Sequence, residues 1–124
     1  QSYKNFNKIK ILGKTKIEKK NLLKLAKESE RLGARAVLLE CITADTAKLI
    51  TENVSIPTIG IGASKYCDGQ VLVFDDLINL GPNNKKPKFV KNYLNFNKIA
   101  SYAVKKYNRE VKLKKFPNLK FTYR

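Results

Sequence analysis

Ala34-Arg35-Ala36-Val37-Leu38-Leu39-Glu40 and, seventeen residues on, Pro57-Thr58-Ile59-Gly60-Ile61-Gly62-Ala63-Ser64 frame the stretch whose reading decides the fold. Ala36 to Leu39 is a continuous apolar run, the pattern of a strand buried on both faces of a parallel sheet. Glu40 closes it with a charge. Thr43 then offers a hydroxyl to cap a helix, Asp45 falls in its first turn, and Ala47, Leu49 and Ile50 form its inward side as far as Asn53 and Val54. Pro57 forces the chain to extend, so Thr58 to Ile61 reads as a second buried strand, left through a turn at Gly62-Ala63-Ser64. Ala34 to Ser64 is therefore a strand-helix-strand unit. Its crossover puts both strand C-termini on one edge of the sheet.

Working outward, Leu22, Leu25, Ala26 and Leu32 follow helical spacing from Glu18 to Leu32, with Lys and Glu opposite. Gly33 supplies the left-handed residue that ends such a helix. Beyond Asp68-Gly69, the run Val71-Leu72-Val73-Phe74 is expected to be a third strand, and Gly81 to Pro87 a surface loop. Phe89, Val90, Tyr93 and Leu94, then Ile99, Tyr102, Ala103, Val104, Tyr107 and Val111, predict two helical faces covering the outside of a barrel or sheet. The tail after Lys114, with Phe116, Phe121 and Tyr123, is expected to be extended. No repeat or low-complexity tract occurs.

Composition bounds the function. The 124 residues allow a single domain, and 43 % hydrophobic content fits a globular protein. No apolar run approaches the roughly 20 residues that span a bilayer, so a soluble protein without a membrane partner is expected. The sequence opens Gln1-Ser2-Tyr3 with no Met and no signal peptide, and it reads as lacking its natural start. Cys41 and Cys67 stand in no metal or disulfide spacing, which fits a reducing cytoplasm. The absence of His removes Ser-His and Cys-His pairs and leaves acid-base work to carboxylates, Lys or Tyr. A net charge of +16 raises the question of nucleic acid. The charge is almost all Lys, scattered through amphipathic segments, and is read as a solvated surface.

Alternating helices and apolar strands indicate a parallel α/β architecture with function beyond the strand C-termini. A full (β/α)₈ barrel takes ~250 residues, so three strands amount to about half of one. Glu40 holds the strand-end position that barrel enzymes use for catalysis. The alternative is an acid that caps a helix or pairs with a Lys, and the spacing leaves both open. Gly60 and Gly62 allow close approach of a substrate or tight packing. Cys41 reads as a small buried residue, since nothing nearby would deprotonate it. Asp75 and Asp76 are either a carboxylate pair for a metal or helix N-terminal acids. Asn53-Val54-Ser55 matches a glycosylation sequon only formally.

Five strings carry a resemblance in order along nearly the whole chain: Leu38-Leu39-Glu40-Cys41, Ala47-Lys48-Leu49-Ile50-Thr51, Ile56-Pro57-Thr58-Ile59-Gly60-Ile61-Gly62-Ala63, Asp68-Gly69-Gln70-Val71-Leu72-Val73 and Pro87-Lys88-Phe89-Val90-Lys91. Together they closely resemble the ketopantoate hydroxymethyltransferases. The resemblance implies an α/β fold in which residues 1–124 are the C-terminal half of one (β/α)₈ TIM-type barrel, the N-terminal half being absent, in a cytoplasmic homo-oligomer. It implies Mg²⁺ as cofactor, 5,10-methylenetetrahydrofolate as co-substrate and a keto acid, 3-methyl-2-oxobutanoate, as acceptor of the hydroxymethyl group. Glu40 matches the family's Leu-Glu-Cys glutamate, to which the base role is assigned. The sequence departs from the family's usual His-Asp at Asp75-Asp76, Gly at Asn79 and Gln at Leu12. The family's metal-binding acids, substrate lysine and active-site histidine are expected upstream of Gln1. A competing reading is a degraded or repurposed basic fragment that binds RNA or acidic partners. A barrel related to phosphoenolpyruvate mutase is disfavoured by the Asp-Gly-Gln-Val-Leu-Val and Ile-Gly-Ile-Gly-Ala strings.

Overall fold

The computed structural model describes residues 10–81 and 86–123. Within them the chain divides into two compact units, 10–72 with 86–90 and 73–81 with 91–123.

The first unit begins with α1 (Lys16–Arg31). Thr15-Lys16-Ile17-Glu18 is a capping box: the Glu18 N–H donates to Thr15 Oγ1 (3.1 Å), and Glu18 Oε2 accepts from the N–H groups of Thr15 (3.3 Å) and Lys14 (2.8 Å). These bonds satisfy amides at the helix start, so the helix begins two residues before the apolar pattern does. Gly33 follows the helix at φ +93°, as expected. Of the predicted inward face, Ala26 is buried and Leu22 half-buried, but Leu25 and Leu32 are exposed, because α1 turns Leu22, Leu23 and Ala26 to the core.

A three-stranded parallel sheet follows in the order β1 (Val37–Glu40), β2 (Thr58–Ile61), β3 (Gly69–Gln70). The helix α2 (Ala44–Thr51) joins β1 to β2. The β1–β2 register pairs Val37 with Thr58 and Glu40 with Ile61. Leu12 and Ile42 form a parallel bridge just beyond β1. Burial of both faces is not what the strands show: Leu39 is 6 % exposed and Leu38 is 56 %. Leu39 packs with Ala26, Ile42, Ala47, Ile50 and Cys67 into the core, whereas alternation turns Leu38 to the opposite face.

Thr43 sits at the N-cap of α2, but its hydroxyl does not cap. It donates instead to the Gly13 carbonyl (2.9 Å), which also accepts from the Thr46 hydroxyl (2.9 Å). Thr46 is wholly buried, and this carbonyl supplies the partner that a buried hydroxyl needs. Ala47 and Ile50 take the inward places expected of them.

The third strand is shorter and earlier than expected. The Val71 N–H still donates to the Gly60 carbonyl (3.0 Å), but β2 leaves the sheet at Gly62 (φ +59°), so residues past Val71 have no strand to pair with. Val73 becomes the cap of α3 (Phe74–Ile78).

In the second unit, α3 ends at left-handed Asn79, and Asp75 and Asp76 occupy its first turn. The Tyr93 N–H donates to the Leu77 carbonyl (2.8 Å) and the Asn92 side chain to that of Asp76. In the first unit, Val90 closes a turn on Pro87. The predicted helical face at Phe89–Leu94 is therefore not a helix, because its amides bond elsewhere than four residues back. One helix forms, α4 (Phe96–Lys112), capped by Asn95 Oδ1, which accepts from the Lys98 N–H (3.2 Å). The tail is not extended either. The Lys115 N–H returns to the Glu110 carbonyl (2.8 Å), Phe116 packs edge-on against Tyr107 with centroids 5.5 Å apart, and Leu119–Phe121 forms a 3-10 turn. Of the expected loop, residues 82–85 lie outside the described residues.

Gly62 tests this packing. A Cβ there would lie 2.5 Å from Phe89 Cδ1, whereas Gly33, also at positive φ, has nothing within 4 Å. Gly33→Ala is expected to cost roughly 1–2 kcal/mol for its backbone alone. Gly62→Ala should add about 1–3 kcal/mol of overpacking to that, read as the larger fall in the denaturant midpoint.

Candidate active site

Glu40 ends β1 at the C-terminal edge of the sheet, half-buried and paired in register with Ile61. Alternation places it on the same face as the exposed Leu38, away from the helix-packed core. The next residue fixes this arrangement. The Cys41 N–H donates to the Ile61 carbonyl (3.0 Å), and the Cys41 carbonyl accepts from the Leu12 N–H (3.0 Å), so bonds on both sides hold the backbone just past Glu40.

Cys41 adopts φ +51°, a left-handed conformation that costs a side-chain-bearing residue on the order of 1 kcal/mol. It lets Ile42 return to the core directly after buried Cys41, which a regular strand forbids. Burial, and then the charge of Glu40, push the Cys41 thiol up from its ordinary range. The thiol is neutral at physiological pH, in line with the sequence reading of a small buried residue.

The two glycines at the end of β2 are filled by protein. Gly60 lies under the Gln70 amide: a Cβ there would be 2.8 Å from Gln70 Oε1 and 3.1 Å from Cys67 Sγ. Gly62 lies under the Phe89 ring. Tight packing explains both positions. Asp75 and Asp76 belong to α3, in the other unit from Glu40. Among the described residues no three His, Cys, Asp or Glu side chains come together. Asn53 of the formal sequon donates from Nδ2 to the Leu49 carbonyl (2.9 Å), at the end of α2.

Residues 1–119 match the family described as ketopantoate hydroxymethyltransferase. The chain belongs to this family. Over all 124 residues it is 47 % identical to the 3-methyl-2-oxobutanoate hydroxymethyltransferase of Thermosipho melanesiensis, covering 47 % of that protein. The corresponding enzyme of Clostridium kluyveri is 46 % identical over the whole chain, which covers 44 % of it. That of Thermosipho africanus is 49 % identical over 118 residues, 95 % of the chain and 44 % of the relative. The chain thus spans about half the length of the curated relatives it matches. No helix among the described residues is long and apolar enough to cross a membrane.

Sequence reasoning missed two polar ties on β2. At its start, one Asp68 carboxylate oxygen accepts from the Thr58 N–H (2.8 Å) and hydroxyl (3.0 Å), while the Asp68 N–H donates to the Thr58 hydroxyl (3.3 Å). The Thr51 hydroxyl of α2 lies 2.8 Å from that of Thr58, joining the helix to the same knot. At the other end, Gln70 Nε2 donates to the Ser64 carbonyl (2.7 Å). The Asp68-Gly69-Gln70 string carried part of the family resemblance, but spacing alone gave no sign of what its side chains hold.

The Thr58 N–H, and after it the Thr58 hydroxyl, hold the Asp68 carboxyl below its ordinary value. A depressed folded-state value means that the stabilisation is fully present above about pH 4 and is lost as pH falls through the lower folded value. Asp68→Asn should therefore unfold at a lower urea midpoint than the parent at neutral pH. The two midpoints should converge as pH falls below about 4.

Proposed function

We propose that this chain is the C-terminal half of a single (β/α)₈ barrel that transfers a hydroxymethyl group from 5,10-methylenetetrahydrofolate to 3-methyl-2-oxobutanoate, giving ketopantoate. The enzyme works in the cytoplasm as a homo-oligomer, and Glu40 is its base. The observation that carries the reading is a half-buried carboxylate at the C-terminal end of a parallel strand, in a chain of the ketopantoate hydroxymethyltransferase family. That edge is where barrel enzymes place their chemistry.

The chain's own residues supply one part of the reaction. The Glu40 carboxylate takes the proton from C3 of the keto acid, and the electron pair left behind forms the enolate. Water releases the methylene carbon from the folate as formaldehyde, breaking its two carbon–nitrogen bonds and leaving tetrahydrofolate. The enolate carbon then bonds to that carbon, and the alkoxide so formed takes up the proton held by Glu40. Glu40 is suited to this because the backbone beside it is pinned by the Cys41–Ile61 and Leu12–Cys41 hydrogen bonds. The neutral Cys41 thiol adds no second negative charge next to the base. Mg²⁺ belongs to the proposal through the family, where it would supply a Lewis acid for the negative charge of the enolate.

The test is exchange of the C3 proton of 3-methyl-2-oxobutanoate into deuterium oxide, catalysed by the full-length enzyme. Replacing Glu40 by Gln should slow exchange about 10²- to 10⁴-fold while Mg²⁺ binding and secondary structure persist. Exchange at the parent rate would remove Glu40 as the base.

A further inference from the structure

We propose that Gln70 is a positioning residue for the chemistry at Glu40: its amide reaches across β2 over Gly60 and holds the turn by which β2 leaves the sheet. The proposal rests on the reading of Glu40 as the base.

Gln70 is paired with Gly60 in the β2–β3 register. Any side chain at residue 60 would occupy the space the amide uses, since a Cβ there would lie 2.8 Å from Oε1 and 2.9 Å from Nε2 of Gln70. With Gly at that place, the amide passes over the strand and its Nε2 donates to the carbonyl of Ser64 at 2.7 Å. Ser64 closes the turn Gly62-Ala63-Ser64, and the Phe89 ring packs on Gly62 at its beginning. Both ends of a three-residue turn are thus fixed by side chains that come from outside it.

The turn adjoins the base through one residue. Ile61, immediately before Gly62, is the register partner of Glu40, and its carbonyl accepts the Cys41 N–H that pins the Glu40–Cys41 peptide. Movement of the turn displaces that carbonyl, and with it the backbone that aims the carboxylate. A base misplaced by even an ångström loses rate steeply, so a bond that holds the turn acts on turnover more than on binding. Gln70 touches no reacting atom in this scheme.

Two substitutions in the full-length enzyme separate this role from general support of the fold. Gln70→Met keeps the length of the side chain but removes the donor. Gln70→Glu sets a carboxylate oxygen against the Ser64 carbonyl when ionised, and restores an O–H donor when protonated. At about pH 8 both variants should lower kcat for C3 proton exchange by roughly three- to tenfold, the value of one hydrogen bond, and leave KM within about twofold. As pH falls to about 4, near the ordinary glutamate value, the Glu variant should recover part of the way toward the parent rate measured at the same pH, and the Met variant should not. Amide hydrogen exchange at Cys67, whose N–H also donates to the Ser64 carbonyl (3.3 Å), should quicken in both at about pH 8. Parent-like kcat, or equal losses at every pH without recovery, would overturn the inference. A parent enzyme that exchanges no C3 proton would overturn the Glu40 reading instead, while amide exchange at Cys67 would still report whether Gln70 holds the turn.

Discussion

The last rung of the β1–β2 ladder, from the Cys41 N–H to the Ile61 carbonyl, ties together the C-terminal edge of the sheet. It sets Glu40 level with Ile61, and immediately past it both strands leave the sheet through a left-handed residue, Cys41 at φ +51° and Gly62 at φ +59°. The two solutions differ in kind. Gly62 takes this conformation freely and leaves room for the Phe89 ring. Cys41 takes it under strain, which is offset by burial of its side chain and by two backbone hydrogen bonds. Because the exits match, Glu40 and the β2 turn share one level of the sheet edge.

The polar ties on β2 divide between its two ends. Thr58, Asp68 and Thr51 knot the beginning of the strand to the loop before β3 and to the helix α2. Gln70 and Ser64 secure its far end. In a parallel α/β layer the first of these edges carries stability and the second carries function. Thr58 is wholly buried, and its hydroxyl has partners in Asp68 and Thr51. Among the described residues no buried side-chain nitrogen or oxygen lacks a hydrogen-bond partner. Polar groups inside such a small core are tolerable only on that condition.

The second unit carries a different balance. Its helix α4 buries none of its residues, and Ile99, Tyr102, Val104 and Tyr107 stand exposed along it. The tail folds back instead of trailing away, with Phe116 between Tyr107 and Phe121. Eight lysines are spread along this unit.

The elements around Glu40 were legible because their signals are local. An apolar run closed by a charge gives β1, Pro57 forces β2 to extend, and Gly33 ends α1, each by a constraint acting within a few residues. The strings around Glu40 carried the family resemblance without any knowledge of the fold. Tertiary structure decided what depends on distant partners. Leu39 is buried and its neighbour Leu38 exposed because the helices lie against one face only. The Thr43 hydroxyl turns from its own helix to Gly13, thirty residues away in sequence. Val71 is the last residue hung on β2 because Gly62 takes that strand out of reach. Gln70 gains its place only because Gly60 leaves a gap on the adjacent strand. Sequence by itself thus determined α1, β1, α2 and β2 and which acid stands at a strand end, since backbone sterics and periodicity act locally, whereas residues 71–74, residues 89–94 and the tail took other forms than their local pattern indicated. Which face is covered, where each side-chain hydrogen bond goes and what steadies the turn beside Glu40 were decided by the tertiary structure, since those depend on residues that only folding brings together.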